Sequence, residues 1–219
     1  MKISLAVRRI LTAVAVTATS FTGLAVVASP ATAACSDVQV VFARGSTEAP
    51  GLGIVGRPLV SAIQQQLRGL TVDSYAVDYA ADIAQTSAGP GATDMSNHIE
   101  EVAAACPNTS FVIGGYSQGA SVTDIAIGIP TSLGRGGTIP TNLAPRVKAV
   151  TVFGNPLRLF RQTINSASQL YGQKALDQCA TGDPVCGNGS NSFAHLTYAF
   201  DGQSVPRAAQ FAANLVKQG

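Results

Sequence analysis

The sequence predicts an α/β fold built on a mostly parallel sheet with helices on both faces. Three observations carry this. Short apolar or β-branched runs of strand length alternate with stretches whose apolar residues recur every three or four positions. Some of the strand-like runs are apolar over most of their length, as strands covered on both faces are. After residue 33 no internal repeat and no low-complexity linker interrupts the alternation, which argues for one domain.

The elements follow in order. Residues 37–43 are apolar and β-branched and read as the first strand. Residues 54–70 read as a helix: Leu59, Ile63 and Leu67 recur at four-residue spacing, Pro58 lies near the start and Gly69 ends it. Residues 71–78 alternate Val72, Ser74, Ala76 and Asp78 against Asp73, Tyr75 and Val77, a strand with two distinct faces. Residues 93–106 are helical, with Met95, Ile99 and Val102 on one face. Residues 110–114 form a buried strand, and residues 120–127 a helix closed by Gly128 and Pro130. Residues 147–153 are another buried strand, and residues 204–217 a final helix with Ser204 as its N-cap. Parallel crossovers are right-handed, so helices on both faces follow, and such sheets carry their sites at the carboxyl ends of the strands.

Residues 1–33 read as a secretion signal rather than as part of the fold. Lys2, Arg8 and Arg9 give a positive start, residues 10–27 are apolar and small, and Ala31-Thr32-Ala33 is a small-x-small cleavage site. The stretch is long enough for a membrane anchor, but Thr, Ser and Gly dilute it and the cleavage site follows at once. The expectation is a single domain over residues 34–219, exported, free or held at the cell wall, with no stable membrane insertion after cleavage. Without Lys2, Arg8 and Arg9 the chain keeps 11 basic against 12 acidic residues, so the formal +2 of the whole chain belongs to the leader. No basic stripe remains, which excludes nucleic acid as an expected partner. About 186 residues suffice for one sizeable core, and the protein is expected to be a monomer.

All four cysteines follow the leader: Cys35, Cys106, Cys179 and Cys186. An even count in an exported chain reads as two disulfides. Three pairings are possible. Local spacing favours Cys179–Cys186, which leaves Cys35–Cys106. Zinc is disfavoured, since paired C-x2-C units are missing and only two histidines exist.

The most informative motif is Gly115-Tyr116-Ser117-Gln118-Gly119, set between a strand pattern and a helix pattern. That is the context of a nucleophile elbow, where the serine sits on a sharp turn and the glycines leave room for it. A serine hydroxyl needs a base to take its proton, most often a histidine oriented by a carboxylate. His98 precedes Ser117 beside Glu100 and Glu101 and reads as part of a solvated helix face. His195 lies late in the chain and suits the order serine, acid, histidine. Of the aspartates between, Asp124 is expected on the surface of the helix after the elbow. Asp177 is the reserve choice. Asp183 is preferred, because the Cys179–Cys186 loop would clamp it where a triad needs fixed placement. The developing oxyanion needs donors already in place. The backbone N–H of Gln118 is one, and Ser46 in Arg44-Gly45-Ser46-Thr47-Glu48 offers another.

These residues together resemble the cutinase family of serine esterases. The resemblance rests on the segment from Phe42 to Glu48, on Gly115-Tyr116-Ser117-Gln118-Gly119, on Gly182-Asp183-Pro184-Val185-Cys186 and on the late His195. It implies a compact α/β-hydrolase fold with a five-stranded, mostly parallel sheet and no large lid. It implies Ser117 as nucleophile, His195 as base, Asp183 as acid, Ser46 and Gln118 at the oxyanion hole, disulfides Cys35–Cys106 and Cys179–Cys186, and no cofactor or metal. The expected activity is hydrolysis of short- to medium-chain acyl esters, cutin-like or lipid. Apolar contacts to the acyl chain are expected from Ile83, Val185, Phe193 and Leu196. Two rivals stand beside it: an acetyl esterase acting on polysaccharide, and a catalytically idle secreted protein working by surface contact.

Overall fold

The most continuous apolar runs of the chain become its central strands. β1 (Val38–Ala43), β3 (Ser110–Tyr116) and β4 (Val147–Phe153) are buried along nearly their whole length. The shorter and more polar β2 (Val72–Ala76) and β5 (Ala175–Gln178) form the two edges. The order is β2-β1-β3-β4-β5, and every pairing is parallel. The computed structural model describes residues 35–219, so the secretion signal expected over residues 1–33 lies outside the described residues.

The helices are α1 (Gly53–Gln66), α2 (Ala88–Ala105), α3 (Gln118–Ala126), the single turn α4 (Ile164–Ala167) and α5 (Ser204–Gln218). Right-handed crossovers decide their sides. The step from β1 to β2 runs one way and puts α1 on one face. The later steps run the other way and put α2, α3 and α4 on the opposite face, and α5 returns beside α1. Strand residues alternate between the two cores. Val41, Ile113, Val150 and Val152 meet Met95, Ile99, Ala120 and Val122. Val40, Phe42, Val112 and Phe153 meet Leu59, Ile63, Val205 and Ala209. The strand order reverses between β1 and β3, and a sheet of this order opens its binding crevice there, beyond the carboxyl ends. The loop after β1 and the turn after β3 both border it.

Two local differences from the sequence reading have physical causes. Helix α2 begins at Ala88, not at residue 93, because Gly89-Pro90-Gly91 is part of it. Pro90 falls in the first turn, where a missing N–H is no loss. Gly89 and Gly91 are packing residues: a Cβ on Gly89 would run into the Arg135 carbonyl, and one on Gly91 into Val122 and Tyr79. Ser204 does not cap α5. Gln203 stands at the N-cap position without a side-chain cap, and Asp201 Oδ1 instead accepts from the N–H groups of Gln203 and Ser204 at 2.8 Å each. Disulfide Cys35–Cys106 fastens the segment before β1 to the end of α2, and Cys179–Cys186 closes the loop after β5.

Candidate active site

The turn between β3 and α3 holds Ser117 at φ 57° and ψ −118°. The flanking glycines explain why the turn is possible. A Cβ on Gly115 would strike the Gly119 backbone, and one on Gly119 would strike the carbonyls of Ala43 and Arg44 at the end of β1. The Ser117 N–H donates to the Phe153 carbonyl at 2.9 Å, which registers the turn on the end of β4.

Ser117 Oγ lies 2.9 Å from His195 Nε2, and His195 Nδ1 lies 2.8 Å from Asp183 Oδ2. Asp183 is buried, and its other oxygen accepts from the Val185 N–H at 2.7 Å. Tyr198 donates its hydroxyl to Asp183 Oδ2 at 2.6 Å. Burial alone would raise the Asp183 carboxyl. The hydrogen bonds from His195, Tyr198 and Val185 outweigh it and hold the group below its ordinary value. An ionised Asp183 fixes the proton of a neutral imidazole on Nδ1, which leaves the Nε2 lone pair facing the serine hydroxyl. Burial first, and Asp183 second, push the Tyr198 hydroxyl up, so it stays a donor.

The imidazole has a wall and a floor. Tyr116 stacks on it at 5.0 Å between centroids and donates its hydroxyl to the His195 carbonyl at 2.7 Å. Gly154, just beyond β4, lies directly against the ring: a Cβ there would sit 2.7 Å from Cε1 and 2.9 Å from Nδ1.

On the other side of Ser117, Ser46 Oγ accepts from Gln85 Nε2 at 2.9 Å and donates to Gln118 Oε1 at 3.3 Å. The Gln118 N–H opens α3 and has no intrahelical acceptor, so it is free for an oxyanion. The loop carrying Ser46 is tied down by its charged neighbours. Arg44 donates to the carbonyls of Glu48 at 2.8 Å and Tyr79 at 2.6 Å, and Glu48 accepts from the N–H groups of Gly45 and Ile54. Thr47, Ala81 and Gln85 all hold positive φ around this mouth, and the Thr47 N–H donates to the Ala81 carbonyl at 2.7 Å. Strain of this kind persists only where the surroundings enforce it.

Beside His195 runs an apolar groove of about 690 Å³, lined by Ile54, Phe193, Leu196, Thr197, Phe200 and Asp201. Phe193 and Phe200 are 71% and 77% exposed, unusual for large apolar side chains away from a binding surface. Cys179, Asp183 and Cys186 come close enough to suggest a metal site, but the two sulfurs are already joined to each other.

Residues 34–216 match the family model for cutinase. The chain belongs to the cutinase family. A cutinase of Kineococcus radiotolerans is 57% identical over 187 residues, which cover 84% of this chain and 63% of that protein. A probable carboxylesterase of Mycobacterium tuberculosis is 41% identical over 187 residues, 84% of this chain and 71% of that one. The solved structure of a Trichoderma reesei cutinase in complex with a phosphonate inhibitor aligns with a TM-score of 0.66 at 29% identity, over 83% of this chain and 77% of that one. The chain thus spans somewhat less than two thirds of the Kineococcus cutinase. The five-stranded parallel sheet expected from the cutinase resemblance is present.

The structure brings Ser117, His195 and Asp183 together at one end of this cutinase sheet and sets Ser46 and Gln118 across from them. Phe193 and Leu196 line the groove; Ile83, 80% exposed, and Val185 do not. Asp177, the reserve acid, points away: its carboxylate meets Asn155, the Ile164 N–H and Arg158. His98 is not on a solvated face. It stacks on Tyr75 at 3.5 Å between centroids and bonds to Gln39, because α2 lays that face over the sheet. Asp124 is not on the surface. It is 1% exposed, since α3 is covered on every side. Sequence reasoning missed Tyr116, Tyr198, Gln85, Gly154, Ile54 and Phe200. Only Tyr198 left a signal, one turn after His195.

Proposed function

We propose that this protein is an exported serine carboxylesterase acting on esters with short to medium acyl chains. The observation that carries the reading is the chain of contacts from Ser117 Oγ to His195 to Asp183, at 2.9 and 2.8 Å. His195 Nε2 takes the serine proton as Oγ attacks the ester carbonyl. The oxyanion that forms is held by the Gln118 N–H and by Ser46, which turns its hydroxyl from Gln118 Oε1 toward the new charge. His195 then gives its proton to the departing alkoxide, leaving an acyl group on Ser117. Water, activated by the same nitrogen, releases the acid. Asp183 holds the tautomer and balances the imidazolium.

The groove formed by Ile54, Phe193, Leu196 and Phe200 supports an acyl chain longer than acetyl and weighs against a polysaccharide deacetylase. The cutinases and the carboxylesterase among the relatives support ester hydrolysis itself. Two disulfides support an oxidising destination and the leader reading of residues 1–33. No helix among the described residues is long and apolar enough to cross a membrane.

The test is a hydrolysis profile of the purified chain from residue 34 on p-nitrophenyl esters from acetyl to palmitoyl, with Ser117→Ala as control. The reading expects a maximum between butyryl and decanoyl and no turnover by the control. Activity confined to acetyl groups on xylan would favour the deacetylase. No hydrolysis of any ester would favour the idle protein.

A further inference from the structure

Behind the candidate triad lies a buried polar cluster that the ester chemistry does not use. Asn155 follows Gly154 and is fully buried. Its Oδ1 accepts from the Leu157 N–H at 3.0 Å, which turns its amide nitrogen toward two carboxylates. Asn155 Nδ2 donates to Asp124 Oδ1 at 3.2 Å and to Asp177 Oδ2 at 3.4 Å. The two acids are not equivalent. Asp177 also accepts from the Ile164 N–H at 3.3 Å and has Arg158 Nη1 at 3.7 Å. Asp124 has the Asn155 hydrogen alone, and its Oδ2 has no hydrogen-bond partner among the described residues.

The three elements so joined are the three that carry the site. Asp124 lies on α3, which begins at the Ser117 turn. Asn155 is bonded to Gly154, the floor beneath His195. Asp177 lies on β5, two residues before the loop that carries Asp183. The Gly154 N–H donates to the Gln178 carbonyl at 2.9 Å and completes the tie.

We propose that Asp124 is a neutral, proton-bearing positioning group that shares Asn155 with Asp177 and so holds the Gly154 floor against His195. The physical reason is like-charge repulsion in a medium of low dielectric. Two ionised carboxylates cannot share one amide with a single, partly exposed guanidinium as counter-charge. One must keep a proton, and the acid without a cationic neighbour is Asp124. Burial first, and the charge of Asp177 second, raise Asp124 well above the ordinary carboxylate range, which agrees with the geometry. The charged group facing it is Asp177 from β5, whose own counter-charge is Arg158 from the turn after β4. The proposal rests on the reading of Ser117, His195 and Asp183 as the working site.

The experiment has two readouts, and the first needs no turnover. Carboxyl carbon-13 shifts of the purified chain from residue 34 at pH 7 report whether Asp124 is neutral; an ionised Asp124 overturns the proposal. The second compares kcat and KM at pH 7.5 on p-nitrophenyl butyrate for Asp124→Asn and Asp124→Ala. The amide of the first keeps the acceptor and the neutral charge, so kcat should stay within threefold of the parent. The alanine leaves the Asn155 amide nitrogen only its 3.4 Å bond to Asp177, and kcat should fall at least tenfold with KM within twofold. Asn155→Ser removes the amide that bridges the two carboxylates and should repeat that loss if the alanine variant does not fold. An asparagine variant as impaired as the alanine, or an alanine variant as fast as the parent, overturns the proposal. If the parent and Ser117→Ala hydrolyse equally, the reading of the site fails instead, whatever the charge on Asp124.

Discussion

Gly154→Ala should cripple turnover while leaving the fold standing. Gly154 has φ +60°, a conformation that costs an L-residue about 1–2 kcal/mol. For a domain of this size that lowers Tm by about 2–8 °C. The larger effect is local. The new Cβ would lie 2.7 Å from His195 Cε1 and 3.3 Å from Asp183 Oδ2. Carbon atoms settle near about 3.5 Å, so the imidazole must retreat by roughly 0.8 Å. The retreat breaks alignment with Ser117 Oγ, now 2.9 Å from Nε2. A displacement approaching 1 Å is worth about 10²-fold in rate, or about 2.7 kcal/mol of barrier. The assay is kcat and KM on p-nitrophenyl butyrate, with thermal melting alongside. KM should hardly move, because the groove proposed for the acyl chain is untouched. A variant that melts a few degrees early yet keeps kcat within threefold would refute the idea that Gly154 sets the position of the imidazole.

Three further outcomes follow from the same geometry. Asp183→Asn should stay folded and lose about 10⁴ in kcat, as loss of the correct tautomer does in triads of this kind; a loss under tenfold would remove Asp183 from the mechanism. The Cys179→Ser, Cys186→Ser variant loses on the order of 2–3 kcal/mol of stability, since its loop spans only seven positions. It should remain folded and lose most of its turnover, and full activity would show that the loop does not need its clamp. The third concerns pH. Burial, opposed by Arg158 and hydrogen bonds, raises Asp177 to about 6. The folded carboxyl therefore binds its proton more tightly than the unfolded one. Its penalty is absent below about pH 4 and complete above about pH 6, on the order of 3 kcal/mol. Asp177→Asn should gain stability relative to the parent as pH rises from 4 to 7, read from urea midpoints; a constant difference would show that Asp177 is not the titrating group.

Much of this molecule was legible in its sequence, and the exceptions share a cause. β1, β3 and β4 are central and dry on both faces, so their apolar runs announced them. β5 did not announce itself: Ala175-Leu176-Asp177-Gln178 is an edge strand with two polar residues, and only the family resemblance supplied a fifth strand. Ser117 could be read because strand, turn and helix signals converge on it, and Asp183 because two cysteines bracket it. Asp124 was misread because helical periodicity tells which residues share a face, not how many faces are covered. Helix α3 is buried all round. Gly154 and Asn155 carried no chemical signal, since their work arises from contacts with residues on α3, β5 and the His195 turn. Such contacts exist only once the sheet has placed distant segments side by side.

The central claim is that Ser117 Oγ is the attacking atom. Incubation with an alkyl p-nitrophenyl phosphonate tests it most directly. The expected result is one equivalent of p-nitrophenol released, a mass gain of one phosphonyl group mapped to the peptide containing Ser117, and complete loss of ester hydrolysis, with no labelling of Ser117→Ala. A label on another residue, or a Ser117→Ala protein that hydrolyses esters at the parent rate, would contradict it.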